Sequence, residues 1–256
     1  RDESVKFAHS ISADKGLHQH KIDMTVFFLH GELDEPIYMR PPEGCGTEPG
    51  QLWKLSKSIY GLPNAGRLSK EKLDSVLRDF GLTQAKSDDC VFFKLNEKNQ
   101  ICYLIVQHVD DLLICTRTQN EYNKLAAHLG LTYDLKEFEA DIYLGVQIEH
   151  DRENNKIKIH QEHTARKILK EFGMENCNPT NLPAEPNHVM EPAQEGEEVN
   201  NPRYPYRQLV GYLVWMLKTR IDLRWAVSQV CRFVNSYTTR HWKAAKRILR
   251  YIAGTL

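Results

Sequence analysis

Along this chain the spacing of apolar residues alternates between strand-like and helical, and over the last quarter it is helical only. Gln19 to Leu29 is rich in residues that favour sheet, around the single acidic residue Asp23, and predicts a strand. Ile37 to Met39 and Leu52 to Leu55 flank a stretch rich in Pro and Gly (Pro41, Pro42, Gly44, Gly46, Pro49, Gly50). That pattern predicts a hairpin with a long turn. Leu68, Leu73, Val76, Leu77 and Phe80 fall at helical spacing, and Gly81 closes the run. Cys90 to Lys94, Ile101 to His108 and Leu112 to Thr116 predict three strands. The pair Asp110-Asp111 therefore stands between two apolar runs.

A helix is expected over Gln119 to Leu129. A hairpin follows, from Ile142 to Glu149 and Lys156 to His160, and then a short helix from Glu162 to Phe172. The stretch from Cys177 carries prolines and glutamates without periodicity and reads as a linker or mobile loop. Three helices follow, over Tyr206 to Lys218, Ile221 to Asn235 and Arg240 to Ile252. The fold class is α+β: an antiparallel sheet with helices on one face, followed by an all-helical subdomain. The expected divisions are 1–176, a linker over 177–203, and 204–256. Arg1 to Leu17 reads as the end of something upstream, and the chain stops abruptly after its last helix. Both ends are expected to be cuts in a larger protein.

Charge sharpens this picture. Lys plus Arg balance Asp plus Glu at 34 each, but from Pro202 onward there are 11 basic residues and one acidic residue, Asp222. A basic helical block on an acidic body predicts either a polyanion partner or a solvated basic face. The six cysteines are scattered and form no CxxC pair, which predicts free thiols in a reducing compartment and argues against a zinc site. The longest apolar run, Ile101 to Val106, is far below the roughly 20 residues that span a bilayer, and no signal peptide is present, so neither a membrane span nor secretion is expected.

The acidic pair carries the chemistry. Tight hairpins prefer Asn-Gly or Asp-Gly, so two adjacent aspartates without glycine are a costly choice for a mere turn. Their like charges repel unless a cation sits between them. Mg²⁺ suits such a place, because it is a hard ion with oxygen ligands, held by one or two carboxylates plus substrate phosphates. Two such ions can stabilise the attacking and leaving oxygens of an in-line displacement at phosphorus. Asp23 is the candidate third carboxylate. The bland alternative is a solvated turn and an ordinary strand-edge aspartate.

Val109-Asp110-Asp111-Leu112-Leu113-Ile114 resembles the catalytic hairpin of copia-type (Ty1/copia) retrotransposon reverse transcriptases. The likeness continues in order. Ile22 to Gly31 with Ile37 to Gly44 resembles the family's first catalytic strand and following hairpin. Trp53-Lys54-Leu55 and Ser58 to Leu62 resemble its next block, and Tyr143-Leu144-Gly145-Val146 its primer-grip hairpin. Tyr206 to Leu256 resembles the region after the palm.

The resemblance implies a palm and a thumb-like helical region from a Pol polyprotein, with the fingers largely missing. It implies that Asp23, Asp110 and Asp111, helped by the Met24 carbonyl, hold Mg²⁺ (or Mn²⁺) for attack of a primer hydroxyl on a deoxynucleotide triphosphate. Phe28 would close off the sugar 2′ position, or else be a core aromatic. Asn64 and Arg67 would meet the nucleotide, or else be a helix N-cap and a surface cation. His108, Leu144, Gly145, Arg207, Gly211 and Trp215 would meet the RNA or DNA primer-template; the last three share one helix face, where simple packing is the alternative. His108 departs from the family's tyrosine, and Phe27 stands where a small alanine is usual and is expected to crowd the nucleotide site. The other Pol regions (fingers, ribonuclease H, integrase) would be partners. The setting would be intracellular, cytoplasmic in a virus-like particle or nuclear. The alternative function is a decayed or repurposed copy that at most binds nucleic acid.

Overall fold

The computed structural model describes residues 2–46, 48, 50–186 and 189–256. Pro49 of the expected turn, and residues 187 and 188 of the expected linker, lie outside the described residues. The chain divides into two compact units, 1–143 with 150–157, and 144–149 with 158–256.

The first unit is built on a six-stranded antiparallel sheet. Its strands are β1 (His18–Met24), β4 (Thr83–Gln84), β5 (Val91–Leu95), β6 (Ile101–His108), β7 (Asp111–Thr116) and β8 (Leu135–Glu139), in the order β4-β5-β6-β7-β1-β8. The expected long-turn hairpin is present as β2 (Tyr38–Met39) and β3 (Trp53–Lys54), paired Tyr38 with Lys54 and Met39 with Trp53.

The expected helices α2 (Ala65–Asp79) and α3 (Gln119–Leu129) cover one face of the sheet. Leu73, Val76 and Leu77 of α2 and Tyr122, Leu125 and Leu129 of α3 bury against Ile22, Phe92, Ile105, Leu112 and Ile114. Alternation along each strand sends these residues to one side and their neighbours to the other. A capping box starts α3: Thr118 Oγ1 accepts from the Glu121 N–H at 3.2 Å, and the Thr118 N–H donates to Glu121 at 3.0 Å.

Two features depart from expectation. A helix, α1 (Asp2–Lys15), occupies the stretch that reads as the end of something upstream and for which no element was expected, and it covers the opposite face of the sheet. Its His9 Nδ1 lies 3.2 Å from Gln19 Oε1, and Gln19 in turn donates to Cys115 Sγ. Helices therefore pack on both faces rather than one. The strand expected over 19–29 also stops at Met24. Val26 turns the chain with φ of 49°, and a 3₁₀ turn over Phe27–His30 follows.

The second unit is mainly helical, and its core joins α4 (Glu162–Glu171), α5 (Tyr206–Met216), α6 (Arg224–Cys231) and α7 (Thr239–Ala253). The expected division at 177 falls inside this unit, because Ala165, Ile168 and Leu169 of α4 share one core with Leu209, Leu213, Val230 and Ile248. The segment read as a linker has no helix or strand among its described residues. It is packed nonetheless: Met190 is buried in the helical core, and Glu197 pairs with Arg240 at 2.8 Å. Polar, proline-rich composition hid this, because one buried methionine and a few ion pairs leave no periodic signal. The strand expected over 142–149 is two, β9 (Ile142–Tyr143) and β10 (Val146–Asp151), broken by a left-handed turn at Leu144 (φ 48°) and Gly145 (φ 75°). β11 (Lys156–His160) completes the expected hairpin with β10.

All six cysteines are free thiols. No helix among the described residues is long and apolar enough to cross a membrane.

Candidate active site

The strands β6 and β7 are joined by the two-residue turn Val109–Asp110, with His108 and Asp111 as the last cross-strand pair. Val109 has φ of 56°, a conformation that a β-branched residue adopts only under constraint. On the other edge of β7, the register of β1 puts Asp23 directly opposite Asp111. The Met24 N–H donates to the Asp110 carbonyl at 3.0 Å. Backbone pairing thus brings all three aspartates to one end of the sheet.

Directly paired residues share a face. A row His108, Asp111, Asp23, Lys136 therefore runs across β6, β7, β1 and β8. Two carboxylates opposite each other on neighbouring strands destabilise the pairing. Lys21 offsets this: its Nζ lies 3.0 Å from Asp111 Oδ1, with the two side chains only 22% and 20% exposed. Sequence reasoning missed both lysines, although Lys21 stands two residues before Asp23 on the same strand face.

Tyr143 was also missed as a positioning residue. Its ring is buried, and its hydroxyl lies 3.2 Å from the Val106 carbonyl and 3.5 Å from that of Asp111. Burial, with the nearby Asp111 charge adding to it, holds the phenol well above its ordinary pKa, so it stays a neutral donor. It braces the hairpin through these two carbonyls.

The donor set, three carboxylates with hard oxygen atoms, fits Mg²⁺ in chemistry. Asp111 Oδ1 is shielded from solvent, and the Lys21 ammonium is its positive neighbour at 3.0 Å. The three carboxylates do not converge within 4.8 Å; among the described residues, the side chains that do are Asp88, Asp89 and Cys90. That cluster is engaged by the protein itself: Ser4 Oγ donates to Asp88 at 2.5 Å, and Lys70 lies 3.6 Å from Asp89.

The expected nucleotide contacts are mixed. Phe28 is half-buried in the 3₁₀ turn and meets Tyr60 edge-on at 4.9 Å. The Phe27 ring, expected to crowd the nucleotide site, is instead buried in the sheet–helix core near Tyr133. Asn64 precedes α2, but its side chain makes no capping bond. Arg67 is exposed and already held by carboxylates, pairing with Asp34 and, at 2.9 Å, with Glu71. The bond to Asp34, then that to Glu71, raises its pKa further.

In the helical unit, Arg207, Gly211 and Trp215 lie together on the exposed face of α5, as their spacing predicts. A Cβ at Gly211 would meet nothing within 4 Å, so this strip is open. Arg207 donates to Asn235 at 3.0 Å. Trp215 packs against the Leu144–Gly145 turn, where a Cβ on Gly145 would lie 2.9 Å from the indole. Lys218 Nζ sits 4.0 Å above the same ring and 3.4 Å from the Leu144 carbonyl. Three of the expected primer contacts therefore form one packed cluster, with Lys218 as a member that the sequence did not flag.

Among the described residues, six other than glycine have positive φ. Three are asparagines (Asn99, Asn155, Asn200), which tolerate it; the others are Val26, Val109 and Leu144. Each of these three falls in a segment singled out by motif. Strained backbone persists where surrounding structure over-determines it, and it clusters at functional sites.

The geometry defines an acidic hairpin at one end of an antiparallel sheet, and comparison with known proteins gives its family. The sequence model of the family described as reverse transcriptase (RNA-dependent DNA polymerase) matches residues 1–186. The chain belongs to that family. It is similar to the retrovirus-related Pol polyprotein from transposon TNT 1-94 of Nicotiana tabacum, at 34% identity over 98% of this chain and 20% of that protein. Similarity to the Pol polyprotein from transposon RE1 of Arabidopsis thaliana is 28%, over 98% of this chain and 17% of that protein. A Saccharomyces cerevisiae protein of transposon Ty5-1 is 28% identical over 91% of this chain and 76% of its own length. The chain thus spans about a fifth of the length of the plant relatives.

Proposed function

We propose that this chain is the polymerase domain of a copia-type retrotransposon polyprotein, extending a primer with deoxynucleotides on an RNA or DNA template. The observation that carries the reading is the register that pairs Asp23 with Asp111 and ties Met24 to Asp110, in a chain of the reverse transcriptase family. The six-stranded sheet is the palm and the helical unit the thumb. Asp23, Asp110 and Asp111 would hold Mg²⁺ or Mn²⁺, which supplies charge stabilisation for phosphoryl transfer.

The chain's own residues do the rest. Tyr143 holds the hairpin carbonyls, and Val109 fixes the direction in which Asp110 leaves the sheet. Phe28, braced by Tyr60, walls the nucleotide sugar. His108, beside Asp111, faces the primer end. The open strip of Arg207, Gly211 and Trp215 tracks the primer-template backbone. Other polyprotein regions would act as partners, in an intracellular setting.

Primer extension on poly(rA)·oligo(dT) with Mg²⁺ or Mn²⁺ tests this reading. Extension that Asp110→Asn abolishes is the expected result. A second reading, a chain that binds nucleic acid without turnover, is favoured by the Lys21 ion pair and the carboxylates' lack of convergence. It predicts salt-sensitive duplex binding and no extension.

A further inference from the structure

The basic face of α7 has a feature that the polymerase reading does not use. Arg240, Lys243, Lys246, Arg247 and Arg250 line one side of a cavity of about 550 Å³ within the helical unit. Its lining carries a single carboxylate, Glu185, against these five cations, and Met174, Met190, Val230 and Ile248 make part of it apolar. Trp225 of α6 forms another wall, with 52% of its surface exposed. The exposed indole offers a flat face on which a planar group can stack, on a wall of the same cavity that the lysines line.

The cations are not equivalent. Arg240 pairs with Glu197 at 2.8 Å, Arg247 with Glu185 at 3.4 Å, and Arg250 donates to the Asn178 carbonyl at 2.6 Å. The segment between α4 and α5 thus lays its own anions along part of the stripe. Lys243 and Lys246 have no ion pair among the described residues, and they line the cavity together with Trp225. Two uncommitted ammonium groups next to an open aromatic face match a chain that alternates flat bases with phosphates, because bases stack on aromatic rings while lysines follow the backbone. An acidic peptide would satisfy the lysines but leave the indole unused. The cavity's size suits one or two bases, not a duplex.

We propose that this cavity is a binding site for single-stranded nucleic acid, with a base resting on Trp225 and neighbouring phosphates on Lys243 and Lys246. Its residues are separate from the aspartates, and the site stands whether or not the chain polymerises.

The test is fluorescence anisotropy of the full chain with a fluorescein-labelled oligo(dT) single strand, titrated at several salt concentrations. Trp225→Ala is expected to weaken binding about tenfold, and Trp225→Phe to restore most of it. Lys243→Gln with Lys246→Gln should make the log–log salt slope shallower by about 1.4, the value for two lost single-strand phosphate contacts. A bromouracil-substituted strand should photo-cross-link to Trp225 in the unaltered protein, a readout that needs no variant to fold. Cross-links confined to other residues, unchanged affinity in folded Trp225→Ala, or displacement of the strand by poly-glutamate more readily than by unlabelled oligo(dT) would each overturn the assignment. Unchanged oligo(dT) binding in Asp110→Asn is the expected control; loss of binding there would place the strand at the aspartates instead and overturn it too.

Discussion

Lys21 and Asp111 lie on neighbouring strands two residue pairs apart in the ladder, and the Lys21 ammonium reaches diagonally to within 3.0 Å of Asp111 Oδ1. It gives Asp111 a positive neighbour on the strand face where Asp23 stands directly opposite.

Removing that ammonium leaves two carboxylates opposed. Lys21→Gln should lower stability in chelator by about 1 kcal/mol, the scale of a cross-strand charge pair. Mg²⁺ should then raise the melting temperature of the variant more than that of the wild type. Thermal melts in chelator and in Mg²⁺ check this. An equal Mg²⁺ response in the two proteins would show that Lys21 and the ion do not share a place.

Val109 holds a conformation that glycine adopts freely. Val109→Gly should relieve strain of order 1 kcal/mol and raise the denaturant midpoint. If the strain aims Asp110, the same variant should extend primers more slowly.

Gly145 has φ of 75° and no room for a side chain beneath Trp215. Gly145→Ala should destabilise the helical unit by about 1–3 kcal/mol, through backbone strain and overpacking. Adding Trp215→Ala should recover the packing share and leave the backbone share. A double-mutant cycle by urea denaturation separates the two.

His241 closes a capping box on α7. Its Nδ1 accepts from the Thr238 N–H at 2.8 Å, so Nε2 carries the proton toward the Glu191 carbonyl at 2.9 Å. Burial holds its pKa below the ordinary 6.5; the Glu191 carbonyl opposes the shift, and Arg240 adds to it. With the folded value depressed, the unfolded chain binds the extra proton first. The stabilisation is therefore present above about pH 6.5 and lost as pH falls through the folded value. Melting temperature should drop between pH 7 and 5, and His241→Gln should flatten that part of the profile.

Several elements were legible because a repeating pattern marks them. The periodicity of α2, α5 and α7 and the apolar runs of β6 and β7 stand where the sequence places them, with the turn between the two strands at Val109–Asp110. α1 was not legible, since its buried residues, Ala8, His9 and Ser12, include only one that is apolar. The place of Phe27 was not legible, because residues that favour sheet run on past Met24, where the strand ends. The positive φ at Val26 turns its ring into the core instead.

By itself the sequence determined which residues can carry charge at the hairpin, because local apolar periodicity fixes the strands on either side of the two aspartates. Only the tertiary structure decided what those charges meet. The partnership of Asp111 with Asp23 and Lys21 depends on the register of strands far apart in the chain. A shift of one residue would send every one of those side chains to the other face, and no local pattern specifies which register wins.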